Sequence, residues 1–206
     1  MKILITAFEA FGGDSLNSSE ETLKHLQSCI NNTEIVKLII PTVRYKSLEL
    51  IIEKIKEEKP DVLISLGQAG GRFAVTPELV AINYDDYSIP DNEGNQPKGE
   101  AISPHGLPAY FSTLPFKSII QNLKENKLPA ELSTSAGTFI CNHIFYGVSE
   151  FIAQNAPHIK YDFIHLPVLT EQAINYRKLP SLSLAQLVRA LEIIIETCSN
   201  SNKNNN

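Results

Sequence analysis

Short apolar runs alternate with segments of helical period along most of this chain. Lys2-Ile3-Leu4-Ile5-Thr6-Ala7-Phe8 is almost unbroken in its apolarity, as expected of a strand covered on both faces. Beyond a Gly12-Gly13 loop, Ser18 with Glu21 three residues on forms a capping-box pattern. It predicts a helix that carries Thr22, Leu23, Leu26 and Ile30 on one face. A strand over 35–42 and a helix over 45–58 follow, with Leu48, Ile51, Ile52 and Ile55 inward and Lys59-Pro60 as the stop. The run 62–66 is again nearly continuous in its apolarity. Strand and helix in this alternation predict a doubly wound α/β sheet.

The rhythm breaks after residue 66. Gly67-Gln68-Ala69-Gly70-Gly71-Arg72 reads as a turn, 79–84 as a strand, and 85–106 as a long polar loop without a period. Loops of that length inside a domain serve as lids or interfaces. Periodicity returns with a helix over 116–125, a strand over 130–135, and a helix that begins around Cys141 and carries Ile144, Phe145, Val148, Phe151 and Ile152 as its stripe. A strand over 161–166 then delivers His165, and a last helix over 183–198 turns Leu184, Leu187, Val188, Leu191 and Ile195 inward. The expected organisation is one domain over 1–198 and a frayed polar tail without function over 199–206.

Composition narrows the function. The chain has 206 residues, 43% of them hydrophobic, and a net charge of −5. Its cations are scattered, which argues against nucleic acid, a partner that requires a basic stripe. No apolar run approaches the ~18 residues of a membrane span, and the start lacks the layout of a signal peptide. Three cysteines, none in a CxxC pair, predict a reducing, cytoplasmic setting. No third ligand stands at metal spacing beside Cys141 and His143, so neither metal nor cofactor is expected.

Three side chains offer chemistry. Cys141 stands where small residues give way to a helix, and first-turn amides with the helix dipole can lower a thiol pKa from ~8.5 toward neutrality. His165 closes a predicted strand, at the sheet edge where α/β proteins collect ligands. Glu78 follows Thr76-Pro77. Thiol, imidazole and carboxyl are the parts of a thiol acyl-transfer enzyme. Each also has an ordinary reading as a buried thiol, a core imidazole or a surface charge, and residue types alone leave both open. The glycine pairs suit tight turns better than phosphate cradles, since neither fits a nucleotide motif.

Seven segments in order resemble the pyroglutamyl peptidase I family of cysteine peptidases: Ala7-Phe8-Glu9-Ala10-Phe11-Gly12-Gly13, Gly67-Gln68-Ala69-Gly70-Gly71-Arg72, Thr76-Pro77-Glu78 with Ala81-Ile82-Asn83, Ile89-Pro90-Asp91-Asn92-Glu93-Gly94, Ser112-Thr113-Leu114-Pro115, Gly137-Thr138-Phe139-Ile140-Cys141-Asn142-His143 and Phe163-Ile164-His165-Leu166-Pro167. The resemblance implies a three-layer α/β/α sandwich with a central, mostly parallel mixed sheet, often assembled as a tetramer or dimer. It implies hydrolysis of peptides that begin with pyroglutamate, with Cys141 as nucleophile, His165 as acid/base and Glu78 as orienting acid. The substrate pocket it implies comprises Phe8, Phe11, Phe139 and Ile140, joined by Thr42, Gln68 and Ile89.

Two positions depart from the pattern. Ser88 stands where many members carry Arg, and Ala10 where Pro is usual; the lost cation predicts weaker activity, a higher thiol pKa, or compensation by Arg72. Two rivals follow: a silent homologue that binds pyroglutamyl peptides, and a phosphorylase-like or hydrolase-like enzyme on the same architecture, for which Arg72 is the candidate phosphate ligand.

Overall fold

The computed structural model describes residues 1–174 and 179–203. In chain order its elements are β1 (Lys2–Phe8), α1 (Ser18–His25), β2 (Cys29–Ile30), β3 (Thr33–Ile40), α2 (Arg44–Glu58), β4 (Val62–Gln68), β5 (Thr76–Pro77), β6 (Val80–Ile82), β7 (Ala109–Phe111), α3 (Phe116–Glu125), α4 (Ile140–Asn155), β8 (Lys160–Leu166), β9 (Val168–Leu169), α5 (Thr170–Ala173), β10 (Ser181–Leu182) and α6 (Leu184–Lys203). The main sheet has the order β2-β3-β1-β4-β8-β5. Its four central strands run parallel, while β2 and β5 at the edges run antiparallel to their neighbours.

Side-chain alternation explains the three layers. Ile3, Ile5 and Ala7 of β1, with Val62, Ile64 and Leu66 of β4, pack on one face with Leu23 of α1, Ile119 and Leu123 of α3, and Leu187, Leu191 and Ile195 of α6. Leu4, Phe8 and Leu63 point the other way, onto Ile51 and Ile55 of α2 and Ile144, Phe145 and Val148 of α4. Each buried Val, Leu, Ile or Phe contributes ~1.5–3 kcal/mol, and a one-residue slip exchanges the two faces of a strand. The fully buried runs therefore fix the register Phe8↔Ile40 and Gly67↔His165. The predicted α/β/α class is the one observed.

Several local expectations change. Asn17, not Ser18, caps α1: its Oδ1 accepts from the Ser19 N–H at 2.9 Å. That helix ends at His25, so Leu26 and Ile30 lie beyond it, and Cys29 is an exposed strand residue. Asn31 and Asn32, both at positive φ, make the tight turn between β2 and β3, a conformation asparagine tolerates. The strand expected over 79–84 shrinks to β6 and pairs with β7 outside the main sheet. Residues 130–135 form only isolated bridges at Ala130 and Ser133, since their Ser and Thr residues offer little apolar surface to bury. The last helix continues to Lys203 through the start of the expected tail, and 204–206 lie outside the described residues.

The long polar segment is strapped down. Arg44, at the start of α2 and 6% exposed, bonds through Nε to Asp85 Oδ2 at 2.8 Å and through both terminal nitrogens to Glu100 Oε2 at 3.1 Å. His143 Nδ1 lies 2.7 Å from the same Asp85 oxygen. Asn142 adds bonds to the backbone of Ile82 and Tyr84. Residues 82–100 are thereby tied to the first turn of α4, next to Cys141.

Candidate active site

The carboxyl ends of three neighbouring strands meet at one small pocket. Phe8 closes β1, Gln68 closes β4 and His165 lies one residue from the end of β8; all three line the pocket with Phe11, Asn17, Thr42, Ala136, Phe139, Ile140 and Cys141. This is the edge where the chain reverses its winding direction in the sheet, the usual site of ligands in open α/β folds. Its volume of about 170 Å³ is below the ~300–1,000 Å³ of pockets for drug-sized ligands. One small ring fits.

Backbone pairing delivers the three reactive groups. Thr76 of β5 lies opposite His165, and the next N–H along, that of Glu78, donates to the Phe163 carbonyl at 2.9 Å. Glu78 and His165 therefore project on the same side, and His165 Nδ1 sits 2.6 Å from Glu78 Oε1. Gly67 makes room for the imidazole: a Cβ there would lie 2.8 Å from the Phe163 ring and 3.1 Å from His165 Cδ2. Cys141 is the second residue of α4, whose start at Phe139 has no side-chain cap, so no capping side chain takes up its first-turn amides beside the pocket.

Electrostatics define the resting state. Burial lowers the pKa of His165 below its ordinary 6.5 even though Glu78 works to raise it. Burial alone would raise Glu78, but its bond to His165 holds the carboxyl below the usual carboxylate range. The Cys141 thiol is pushed up to about 12, by burial first and by the Glu78 charge second, with Arg72 opposing. This reverses the expectation of a helix-lowered thiol: desolvation beside an anion outweighs the helix dipole. The resting pair is neutral thiol and neutral imidazole, so the sulfur needs a base to take its proton.

Of the predicted site residues, Glu78, Cys141 and His165 converge, and Phe8, Phe11, Thr42, Gln68, Phe139 and Ile140 line the same cavity. Ile89 is 44% exposed on the strapped segment and is not among the lining residues. Ser88 is exposed as well, with its carbonyl accepting from Gln96. Sequence reasoning missed Asn17 and Ala136. Asn17 had a legible signal, since it directly precedes Ser18-Ser19-Glu20-Glu21, the setting of an N-cap. Gln172 was also missed: its Nε2 donates to Gln68 Oε1 at 2.9 Å, and the Ser18 N–H donates to that oxygen at 2.7 Å. Gln68 thus has its acceptor committed to protein and its amide nitrogen left as a donor.

The model of a family described as pyroglutamyl peptidase matches residues 1–201. The pyrrolidone-carboxylate peptidase of a Thermoanaerobacter species is 50% identical over 196 residues, covering 95% of this chain and 97% of that protein. Pyrrolidone-carboxylate peptidase 2 of Caldanaerobacter subterraneus is 49% identical over 205 residues, covering 98% and 100%. Among solved structures, pyroglutamyl peptidase I of Bacillus amyloliquefaciens is 45% identical with a TM-score of 0.93 and covers 97% of each chain. A variant of the Pyrococcus furiosus pyrrolidone carboxyl peptidase is 36% identical, with a TM-score of 0.93 over 98% of this chain and 99% of that one. With a family model matched over residues 1–201 and relatives about half identical along nearly the whole chain, the chain belongs to the pyroglutamyl peptidase family.

Proposed function

We propose that this chain is a cysteine peptidase that removes N-terminal pyroglutamate from peptides, with Cys141 as nucleophile, His165 as general acid and base, and Glu78 as the group that orients the imidazole. The observation that carries the reading is the 2.6 Å bond from His165 to Glu78 at the rim of a small aromatic pocket that also holds Cys141. Bound to Glu78 through Nδ1–H, the ring presents its Nε2 lone pair as the base. It takes the Cys141 proton as sulfur attacks the pyroglutamyl carbonyl, and first-turn amides of α4 stabilise the oxyanion, each worth ~3–4 kcal/mol. Collapse of the tetrahedral species breaks the C–N bond while His165 protonates the departing amine. Water, deprotonated by the same imidazole, then hydrolyses the thioester and returns the sulfur to its thiol form.

The pocket chemistry suits a flat, uncharged lactam. Phe8, Phe11 and Phe139 supply apolar walls, and the Gln68 amide nitrogen supplies a donor for the ring carbonyl. A proline ring lacks that carbonyl and leaves the donor unpaired, at a cost in binding. The phosphorylase-like alternative loses its support, because the Arg72 guanidinium it needs for phosphate is bonded to Thr76, Glu78 and Ser135. A single catalytic domain, assembly of identical copies and a cytoplasmic setting belong to the same proposal. Support for assembly comes from exposed Phe73, Leu107 and Phe111. The cysteines are all free, and among the described residues no helix is long and apolar enough to cross a membrane.

The test is release of a reporter amine from a pyroglutamyl anilide. Turnover that iodoacetamide abolishes, and that Cys141→Ser lacks, is the expected result. Turnover that persists in Cys141→Ser defeats the proposal, as does tight peptide capture by the intact chain without amine release.

A further inference from the structure

Arg72 belongs to neither the proposed triad nor the pocket lining, yet it touches the acid directly. Its Nη1 donates to Glu78 Oε1 at 2.6 Å and to Thr76 Oγ1 at 2.5 Å, and its Nη2 donates to the Ser135 carbonyl at 3.1 Å. Gly71, at φ 90°, turns the chain so that the next residue reaches back over β5. The three anchors lie on different pieces of the site: Thr76 on β5, Glu78 beside the imidazole, and Ser135 on the segment that leads into α4 and Cys141. Glu78 is fully buried, while the Arg72 side chain keeps about a quarter of its surface in solvent. The guanidinium thus stays hydrated on one side while Nη1 holds one carboxylate oxygen and Nη2 the Ser135 carbonyl, two donors at a fixed planar spacing that a Lys ammonium does not reproduce.

We propose that Arg72 is the positioning cation of this active site: it locks the Glu78 oxygen shared with His165, ties the acid to the segment carrying the nucleophile, and supplies the positive charge that Ser88 does not. The inference rests on the triad reading above. Two consequences separate it from a structural brace. Sharing Oε1 with a permanent cation makes Glu78 a weaker base, so the proton stays on His165 Nδ1 and Nε2 remains the basic nitrogen. A positive charge beside the pair also disfavours imidazolium and favours thiolate, and the Arg72 charge acts downward on both His165 and Cys141.

The experiment compares wild type, Arg72→Gln and Arg72→Lys by two readouts. The first is the pH profile of kcat/KM on a pyroglutamyl anilide. For Arg72→Gln the plateau should fall on the order of ten- to a hundredfold, as when an outer partner that orients a reactive group is lost. Its acid limb should move to higher pH, because His165 regains its proton more readily. The second is the rate at which iodoacetamide alkylates Cys141, followed by mass spectrometry of its peptide because Cys29 is exposed. Without the Arg72 charge the thiol is harder to ionise, so alkylation should slow on the order of tenfold at fixed pH. Arg72→Lys keeps the charge and loses the fork, so alkylation should stay within about threefold of wild type while turnover still drops.

Alkylation of Arg72→Gln at the wild-type rate, or an acid limb that does not move, overturns the assignment. Should Arg72→Gln fail to fold by circular dichroism, Arg72→Lys and Thr76→Val decide: turnover retained in both overturns it, and turnover lost with alkylation retained upholds it. Failure of the wild type to release any amine would instead strike the triad reading, and the alkylation arm would still report on Arg72.

Discussion

Gly67 and His165 are direct partners across the β4–β8 pair, and the imidazole lies over the space that a Gly67 side chain would occupy. A methyl group there comes within 2.8 Å of the Phe163 ring and 3.1 Å of His165 Cδ2. Both rings belong to the packed face beneath α4, with centroids 4.9 Å apart, so neither yields freely. Gly67→Ala should therefore cost about 1–3 kcal/mol of stability through overpacking. It should also lower kcat on the order of a hundredfold, the penalty of an ångström of misplacement. Thermal unfolding and anilide turnover check the two parts. Full activity in this variant would mean that the imidazole position does not matter.

Glu78→Gln tests the orienting acid. The amide keeps the volume and one acceptor but loses the anion that stabilises the imidazolium formed during attack. Turnover should fall ~10²–10⁴-fold with KM little changed. The pH dependence carries a second sign. Glu78 raises the pKa of His165 against its burial, so its neutralisation must lower that pKa further. The acid limb of kcat/KM should then move to lower pH, opposite to the shift expected for Arg72→Gln. The Glu78 charge also raises the Cys141 thiol, so alkylation of Glu78→Gln should speed up. Slower alkylation would contradict the electrostatic picture.

For the unmodified chain the His165 shift sets a stability window. Its folded pKa lies below 6.5, so the unfolded chain binds this proton more readily than the folded one. Stability from this group is complete above 6.5 and declines as pH falls through that value toward the folded pKa. His165→Gln removes the titration and should flatten this part of the acid limb in chemical denaturation. An unchanged limb would assign the acid sensitivity to other groups.

How much of this was legible beforehand depends on whether a residue acts through chain-local pattern or through contacts. β1, β4 and β8 are visible as short, largely apolar runs because both of their faces are buried, and α4 is visible through its stripe from Ile144 to Ile152. Cys141 and His165 stood at the ends of such elements, so their site could be placed. The two-residue β5 has no period to read, and only its pairing with β8 reveals why Glu78 meets His165. Arg44 is another such case, its role appearing only once α2 is placed beside Asp85, whereas Asn31-Asn32 carries local turn chemistry that apolar spacing alone extends α1 across. Thiol electrostatics escape the sequence for a related reason. The helix start is a local feature, whereas burial and the Glu78 charge come from the tertiary structure.

The Arg44–Asp85–His143 cluster makes the last prediction. Asp85 is fully buried and receives both the Arg44 Nε–H and the imidazole of His143. Removing Asp85 leaves a buried guanidinium with, among the described residues, the half-exposed Glu100 as its remaining ion-pair partner, and breaking one partner of a buried pair costs about 3–5 kcal/mol. Asp85→Ala should therefore destabilise far more than Glu93→Ala, whose partner Lys46 forms an exposed pair worth ~0–1 kcal/mol. Because His143 follows Cys141 by two residues on α4, the same variant should loosen the nucleophile's helix start before global unfolding. Hydrogen exchange at the amides of residues 142–146 reads this directly: protection lost there ahead of β1 and β4 supports the strap, and uniform loss across the chain refutes it.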